Sequence, residues 1–318
     1  MIRIQHEYTA EELRAFEARL GASVDFTLTL PWAKAAEESR FGRGVRALAF
    51  DNGEPVALAQ GIARRRGTFS KLSCGSNSGF GVRWTEGGQE AAAAGVSDLV
   101  KRSRASIAEV FSQEPIRIPR IRWEDSFTIH IDLRKSIDVL LEEMKKEARK
   151  KIRRAERLGV TARVIEDEAG TDSAYDLIHA TAESKKFPVP PKKYSLALHR
   201  EFAKVCRQGS AVGFREGRLV SAATLLGYGK KVAWWKGGSI SEGYETSAGN
   251  LVQLAAIEWA KRCGFEVYDL GGTNPHLQAY AGIHEFKTSL GGELVTTSLG
   301  TRSSKTVRLA SRVARSLR

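Results

Sequence analysis

Alternating apolar and polar positions divide much of the chain into two stretches that predict the same order of elements. Residues 45–121 predict three strands, a Gly/Ser-rich loop, a helix and a final strand, and residues 211–270 predict the same series. The first turn of each series contains Asn52-Gly53 or Glu216-Gly217, which is turn chemistry typical of hairpins. Hairpins followed by a strand–helix–strand unit predict an α/β (α+β) protein with mixed sheets and two related lobes.

A strongly basic helix is predicted between the two stretches. Ser136 is a candidate N-cap and Gly159 a candidate end, and apolar residues recur three or four positions apart from Leu141 to Ala155. Eight cations and only two acids lie between Lys145 and Arg157. So dense a positive face favours contact with a polyanion. The alternative is a solvated helix face, which is how most charge runs are explained.

Residues 268–292 contain the candidate chemistry. A short apolar strand from Phe265 to Leu270 breaks at two glycines, a polar loop follows, and a single cation, Lys287, lies between Phe286 and Leu290. Paired glycines allow a ligand to approach the backbone closely. A partly desolvated lysine is suited to anion binding or to acid–base chemistry. A strand end with a snorkelling surface lysine is the plainer alternative.

Composition narrows the class of protein. The 318 residues carry a net charge of +13 and a pI near 9.7, which favours nucleic acid, a phosphate-rich substrate or an anionic membrane as partner. Three distant cysteines and few histidines predict neither a disulfide framework nor a metal site. Without a signal-peptide pattern or a long apolar run, we expect a cytoplasmic protein.

The last residues, 301–318, form a basic tail whose cations recur every three or four positions. Three interpretations stay open for this tail. It is an RNA-binding helix, an amphipathic contact with the inner face of an anionic membrane, or a disordered solubilising segment.

The order of these parts resembles the Fem-type aminoacyltransferases. The resemblance extends from about Pro31 to Val295 and is most specific at residues 149–160 and 268–292. It implies two tandem GNAT-like (N-acyltransferase-type) domains and transfer of an amino acid from its tRNA ester to an amine. The segments expected on this basis are an N-terminal GNAT-like domain at 1–135, a connecting helix at 136–160, a C-terminal GNAT-like domain with the site at 161–300, and the tail.

The resemblance also implies site residues. Lys287 matches the family's catalytic lysine in the FK pair, and Asp269 matches the acid of YDLGG, either as a catalytic group or as a residue that orients the loop. The implied substrate-binding residues are Gly271, Gly272, Thr273, Asn274, Phe286, Lys34 and Lys185, and the implied tRNA-binding residues are Arg149, Lys150, Arg153, Arg154 and Arg157. Aminolysis of an ester requires an aligned amine, a proton acceptor and a donor for the oxyanion, but no metal or redox cofactor.

Two positions depart from the bridge-forming enzymes that the chain resembles. Those enzymes place a lysine four residues after an N-terminal tryptophan, whereas Trp32 is followed by Lys34 at two and Ala36 at four. They also carry an arginine where this chain has Ser184, next to Lys185. The departures weaken the case for a UDP-linked cell-wall precursor as acceptor, and a small molecule, a peptide natural product or a protein fits at least as well.

Two other functions remain open at this point. A CoA-dependent N-acyltransferase holds pyrophosphate with a Q/R-x-x-G-x-G/A loop at a helix N-terminus, whereas residues 245–251 here read ETSAGNL, with one glycine. A non-catalytic RNA- or membrane-binding protein on the same fold is the second alternative. The combination of Asp269, the glycine pair and Lys287 favours a working site over a bare binding module.

Overall fold

Two compact units make up the computed structural model, which describes residues 1–205, 207–304 and 307. Unit 1 comprises Met1–Ser126 and the described residues from Thr296 onward, and unit 2 comprises Phe127–Val295. The strands are β1 (Ile2–Gln5), β2 (Arg43–Asp51), β3 (Glu54–Arg66), β4 (Phe69–Ser76), β5 (Gly79–Phe80), β6 (Val82–Trp84), β7 (Ile107–Ser112), β8 (Arg122–Asp132), β9 (Val160–Ile165), β10 (Arg207–Arg215), β11 (Arg218–Tyr228), β12 (Lys231–Ser239), β13 (Val267–Asp269) and β14 (Glu293–Ser303). The helices are α1 (Ala10–Leu20), α2 (Leu30–Glu38), α3 (Gln89–Arg102), α4 (Ile137–Glu143), α5 (Lys146–Arg157), α6 (Glu168–Lys185), α7 (Lys192–Val205), α8 (Ser241–Glu245), α9 (Ala248–Arg262) and α10 (Ala281–Ser289).

Unit 1 is a mixed sheet with α3 packed on it. Its strands follow the order β1-β2-β3-β4-β7-β14, and β4 and β7 are the parallel neighbours. Alanines of β2 and β3 face one side of α3. On that side of the helix, Val96 and Leu99 are fully buried. Small side chains on the strands allow the helix to approach the sheet closely.

Unit 2 repeats this arrangement. Its strand order is β8-β13-β12-β11-β10-β9, and β12 and β13 are the parallel pair. Helix α9 connects β12 to β13 and packs Val252, Ala256 and Ile257 into the main core of the unit. The order β10-β11-β12-α9-β13 therefore matches β2-β3-β4-α3-β7 of unit 1. The predicted α/β architecture, with mixed sheets and two related lobes, is therefore confirmed.

The predicted basic helix over 136–160 is instead two helices. Ser136 caps α4 through a bond from the Val139 N–H, as expected, but the chain is extended at Met144 and Lys145, with ψ of 142° and 144°. The Lys145 N–H donates to the Ser289 carbonyl at the end of α10. A tertiary hydrogen bond thus accompanies a break that the continuous apolar periodicity does not reveal.

The two units also divide the chain differently from the segments expected at 1–135, 136–160 and 161–300. Helices α4 and α5 belong to unit 2, where Leu140, Met144 and Ile152 are buried in its main core. Residues Thr301–Ser303 continue β14 and pair with β7. The remainder of the predicted tail lies almost entirely outside the described residues, so its RNA and membrane contacts stay predictions. None of the helices in the described ranges combines the length and hydropathy needed to cross a bilayer.

Candidate active site

The short strand β13 places Asp269 between β8 and β12 of the unit 2 sheet. β13 runs antiparallel to β8 on one side and parallel to β12 on the other, and its register places Asp269 opposite His130 and Ala233. The strand ends at Asp269, where Gly271 takes a left-handed φ of 75°, a conformation that a side chain disfavours. Strand β13 therefore stops at a buried carboxylate and a glycine turn.

The Asp269 carboxylate is held by groups from three segments. Oδ1 accepts a hydrogen bond from the Thr128 hydroxyl and another, of 2.8 Å, from the Gly271 N–H. Oδ2 lies 3.4 Å from Nε2 of His130 and 3.7 Å from Nζ of Lys231. Burial by itself raises the pKa of Asp269, but the contacts with His130, Lys231 and Thr128 outweigh burial and lower it. Asp269 is thus an ionised residue at neutral pH that fixes the loop after β13.

Hydrogen bonds hold the loop after β13 in place. The Leu270 N–H donates to the Ile129 carbonyl and the Thr273 N–H donates to the Phe127 carbonyl, each at 2.8 Å. The Thr273 hydroxyl lies 3.0 Å from Nδ1 of His284 on α10. These bonds tie the loop to β8 on one side and to α10 on the other, and they fix the position of its backbone.

Lys287, on α10, is a buried amine, with only 6% of its surface exposed. Its Nζ donates a hydrogen bond of 2.7 Å to the Gly272 carbonyl and lies 5.1 Å from the ring centre of Trp234. Burial lowers the pKa of Lys287 to about 7; Asp269 acts in the opposite direction and Lys236 adds to the lowering. A lysine in this state exchanges a proton near neutral pH, which a surface lysine does not do.

Strand β12 provides the aromatic and cationic wall beside Lys287. The ring of Trp234 meets Phe286 edge-on, with centroids 6.0 Å apart. Burial lowers the pKa of Lys236, two residues along the strand. Lys236 also lowers the pKa of Lys287, so the two lysines lie close enough to interact. An apolar wall with two lysines suits a substrate that carries or develops negative charge.

The N-terminus of α9 is a further polar feature of unit 2. Ser247, at the N-cap position, has a left-handed φ of 61° and no capping side-chain bond. Asn250, in the first turn, is 4% exposed, and among the described residues its Nδ2 has no hydrogen-bond partner. Gly249 lies near Phe286, since a Cβ placed there would stand 3.9 Å from the ring. Free N–H groups at a helix start attract anions.

The other predicted site residues lie at different places. Asn274 accepts a hydrogen bond from the His276 N–H within the loop, Lys185 ends α6 and lies 5.4 Å from the Tyr244 ring centre, and Lys34 is exposed on α2 of unit 1. The structure brings Asp269, Gly271, Gly272, Thr273, Phe286 and Lys287 together in unit 2. The catalytic roles of Lys287 and Asp269 stay predictions, as do the substrate-binding roles of Gly271, Gly272, Thr273, Asn274, Phe286, Lys34 and Lys185.

Within the basic helix, Arg149 differs from its neighbours. It is half-buried, and its Nη1 donates to the carbonyls of Leu141, Glu142 and Met144 at 2.7–3.1 Å. Its guanidinium therefore closes the C-terminal end of α4. Lys150 pairs with Glu147, and the remaining predicted tRNA-binding residues, Arg153, Arg154 and Arg157, are exposed.

Sequence reasoning missed Thr128, His130, Lys231 and Lys236. Thr128 and His130 lie on the same face of β8, since side chains alternate along a strand, but their partner Asp269 is 141 residues from Thr128 in the chain. Only the strand pairing reveals this contact. In the described residues no group of three or more His, Cys, Asp or Glu side chains could hold a metal ion.

Comparisons with known proteins agree with this geometry. A family profile described as an acetyltransferase (GNAT) domain matches residues 142–307. The fold is similar to a crystal structure of FemX, with a TM-score of 0.71 and 15% identity over 94% of this chain and 96% of that one. It is similar to the C-terminal domain of a putative lysylphosphatidylglycerol synthetase from Agrobacterium fabrum, with a TM-score of 0.58 and 15% identity over 97% of each chain.

A third similar structure is a tandem GNAT protein from the clavulanic acid biosynthesis pathway, with a TM-score of 0.56 and 10% identity over 95% of this chain and 98% of that one. A search of curated protein sequences found no match. The three structural similarities establish the Fem-like tandem GNAT fold, and the profile covers more than half of the chain. The chain therefore belongs to the GNAT acetyltransferase-domain family and is an acyltransferase of that type.

Proposed function

We propose that this acyltransferase moves an amino acid from aminoacyl-tRNA to an amine acceptor and forms an amide bond. The observation that carries the proposal is Lys287, a buried amine that bonds to the Gly272 carbonyl and has a pKa near 7. The Fem-type pattern of residues 268–292 also favours tRNA as the donor. One similar structure is named for a lysyl-bearing product, which makes an aminoacyl unit a reasonable cargo for this fold.

Neutral Lys287 can accept the proton that the acceptor amine must lose. The acceptor nitrogen attacks the ester carbonyl, a C–N bond forms, and the C–O bond to the terminal ribose of the tRNA breaks. The proton passes from the attacking nitrogen to Lys287 and then to the departing ribose oxygen, so that protons and charge balance. A group with a pKa near the working pH performs both transfers efficiently.

Asp269 has a positioning role in this scheme. Its lowered pKa makes it a weak proton acceptor at neutral pH, and its oxygens are already bonded to Thr128 and to the Gly271 N–H. It also raises the pKa of Lys287, against the effect of burial. Asp269 therefore holds the loop and keeps Lys287 able to carry a proton near pH 7.

The exposed cations of α5 are the proposed contact for the tRNA backbone. Arg153, Arg154 and Arg157 are exposed, whereas Ala148, Ile152 and Ala155 on the other face are buried in the unit 2 core. Phosphate contacts of this kind position RNA without reading its sequence. Replacing Arg153 and Arg154 with alanine should weaken tRNA binding and reduce its salt dependence, with the slope of log K against log salt falling by about 1–2.

The test of the donor is a transfer assay with each aminoacyl-tRNA labelled in its amino acid, run beside labelled acetyl-CoA. Filter binding measures retention of each charged tRNA against its deacylated form, and transfer is followed to a panel of amines. We expect selective retention of a charged tRNA and amide product with the wild type, and loss of product with Lys287→Met. Transfer from acetyl-CoA alone would reject the tRNA-dependent function.

CoA-dependent N-acyl transfer is the second candidate, and the N-terminus of α9 favours it. The first turn without a side-chain cap and the Nδ2 of Asn250, which has no partner among the described residues, are suited to a pyrophosphate. The loop before α9 has a single glycine, Gly249, instead of the glycine-rich pattern typical of CoA binding. Replacing Asn250 with leucine should abolish acetyl-CoA binding if this function holds, and should leave retention of aminoacyl-tRNA unchanged if it does not.

A further inference from the structure

Unit 1 contains a cavity of about 510 Å³ that the transfer chemistry leaves unused. It lies beside the last turn of α3, and residues of the 118–121 turn and of the end of β14 complete its wall. The lining residues that the structure describes all belong to unit 1. The volume is typical of pockets that bind small molecules.

Four cations line this cavity: Lys101, Arg104, Arg120 and Arg302. Among the described residues that line it there is no aspartate or glutamate. Within the described ranges none of the four side chains forms an ion pair or a side-chain hydrogen bond. Like charges around one space repel each other, and an anion between them relieves that repulsion. Guanidinium groups bind phosphate oxygens through paired N–H donors.

Apart from Ser97, the uncharged residues that line the cavity are apolar, and we call this apolar part of the lining its floor. Val100 and Ile118 are buried, with 6% and 8% of their surface exposed, and Ala105 and Ile121 are half-buried. A bare inorganic anion would contact the cations but not the apolar lining. Cations around an apolar floor therefore match a ligand that has an anionic end and an apolar end.

Backbone geometry places two of the arginines. Arg104 follows α3 with a left-handed φ of 48°, and its N–H donates to the Lys101 carbonyl. Arg120 has a φ of 65° and follows Pro119 in a turn closed by a hydrogen bond from the Ile121 N–H to the Ile118 carbonyl. This is the third position of a type II turn, where glycine is favoured. Glycine can therefore replace both arginines without straining the backbone.

We propose that this pocket binds an amphiphilic phosphate, a phosphate ester joined to an apolar group. The phosphate lies among Lys101, Arg104, Arg120 and Arg302, and the apolar group covers the floor. A phospholipid at a membrane surface and a soluble phosphate ester share this chemistry. An RNA backbone would engage the cations and leave the apolar floor exposed, so RNA is the less suitable ligand.

The test compares the wild type with the double variant Arg104→Gly/Arg120→Gly. The control is Arg40→Gly, because Arg40 is exposed, has a φ of 55° and does not line the cavity. Isothermal titration uses dihexanoyl phosphatidic acid below its micelle concentration, dihexanoyl phosphatidylcholine as the probe without net charge, and inorganic phosphate as the head alone. We expect phosphatidic acid to bind more tightly than either control probe. The double variant should bind it at least tenfold more weakly, and Arg40→Gly should bind like the wild type.

Vesicles identify the source of the ligand. If the wild type sediments with vesicles that contain phosphatidic acid and the double variant does not, the result supports a membrane lipid as the ligand. If the wild type binds the soluble probe but does not sediment with vesicles, the result supports a soluble ester. Equal affinities for the two lipids, equal affinities of wild type and double variant, or no binding would overturn the proposal. Loss of tRNA affinity in the double variant without any phospholipid binding would assign the pocket to RNA. Thermal melting confirms that each variant is folded.

Discussion

Replacing Lys287 with methionine should stabilise the protein at neutral and acidic pH while abolishing turnover. Methionine keeps the length of the side chain and removes the buried amine. The ordinary lysine pKa of 10.5 falls to about 7 in the folded protein, and that difference corresponds to about 5 kcal/mol against the charged form. Below about pH 7 the amine is charged in both the folded and the unfolded state, so folding bears this whole cost.

The sign of the pH dependence follows from the bound protons. Between pH 7 and 10.5 the unfolded chain binds a proton at Lys287 that the folded chain does not, so wild-type stability rises by about 1.4 kcal/mol per pH unit from this group. The variant lacks this rise and loses the hydrogen bond to Gly272, worth about 1 kcal/mol. The variant should therefore be about 4 kcal/mol more stable at pH 6, and its advantage should shrink by about 3 kcal/mol between pH 7 and 9.

Urea unfolding followed by tryptophan fluorescence at pH 6, 7, 8 and 9 measures this difference. Comparing variant with wild type at each pH cancels the other titrating groups. Lys230→Met is the matched control, since Lys230 is 72% exposed and pairs with Glu266 at the surface; its effect should stay below about 1 kcal/mol. If the difference in unfolding free energy between wild type and Lys287→Met were the same at pH 6 and pH 9, the conclusion that Lys287 is a buried amine with a lowered pKa would be wrong.

Other substitutions test the remaining contacts. Asp269→Asn should lower the pKa of Lys287 further, because Asp269 raises it. The acid limb of the pH–rate profile should therefore move to lower pH, and an unmoved profile would show that Asp269 does not influence the pKa of the catalytic group. Arg149→Ala should cost about 2 kcal/mol in urea unfolding, because its charged donor serves three carbonyls. Lys150→Ala, the exposed neighbour, should cost less than about 0.5 kcal/mol, and equal losses would contradict the capping role of Arg149. Gly271→Ala should cost about 1–2 kcal/mol in the same assay, because its φ is 75°, and a loss below 0.5 kcal/mol would show that the turn tolerates a side chain.

Local chemistry accounts for the parts of the fold that the sequence predicted well. The turn dipeptides Asn52-Gly53 and Glu216-Gly217 both adopt positive φ and join the expected hairpins. Ser136 caps a helix through a bond three residues away. Such signals depend on neighbours in the chain, and a sequence displays neighbours directly. The repeated series of strands and helix could be predicted for the same reason.

Contacts between distant segments decided the rest. The apolar spacing from Leu141 to Ala155 predicts one helix, but Lys145 bonds to Ser289 and the chain becomes two helices. Arg149 belongs to a basic run in the sequence, yet only the fold shows that it caps α4. A residue's charge is visible in the sequence, whereas its partner depends on which elements pack together.

The sequence by itself determined the repeated strand-and-helix units, the basic surface of α5 and the identity of Asp269 and Lys287 as candidate chemistry. The tertiary structure decided what those residues can do. Pairing of β13 with β8 brings Thr128 and His130 to Asp269, and packing of α10 buries Lys287 near Trp234 and lowers its pKa. Burial and strand register arise from long-range contacts, and these set the protonation state on which the proposed transfer depends.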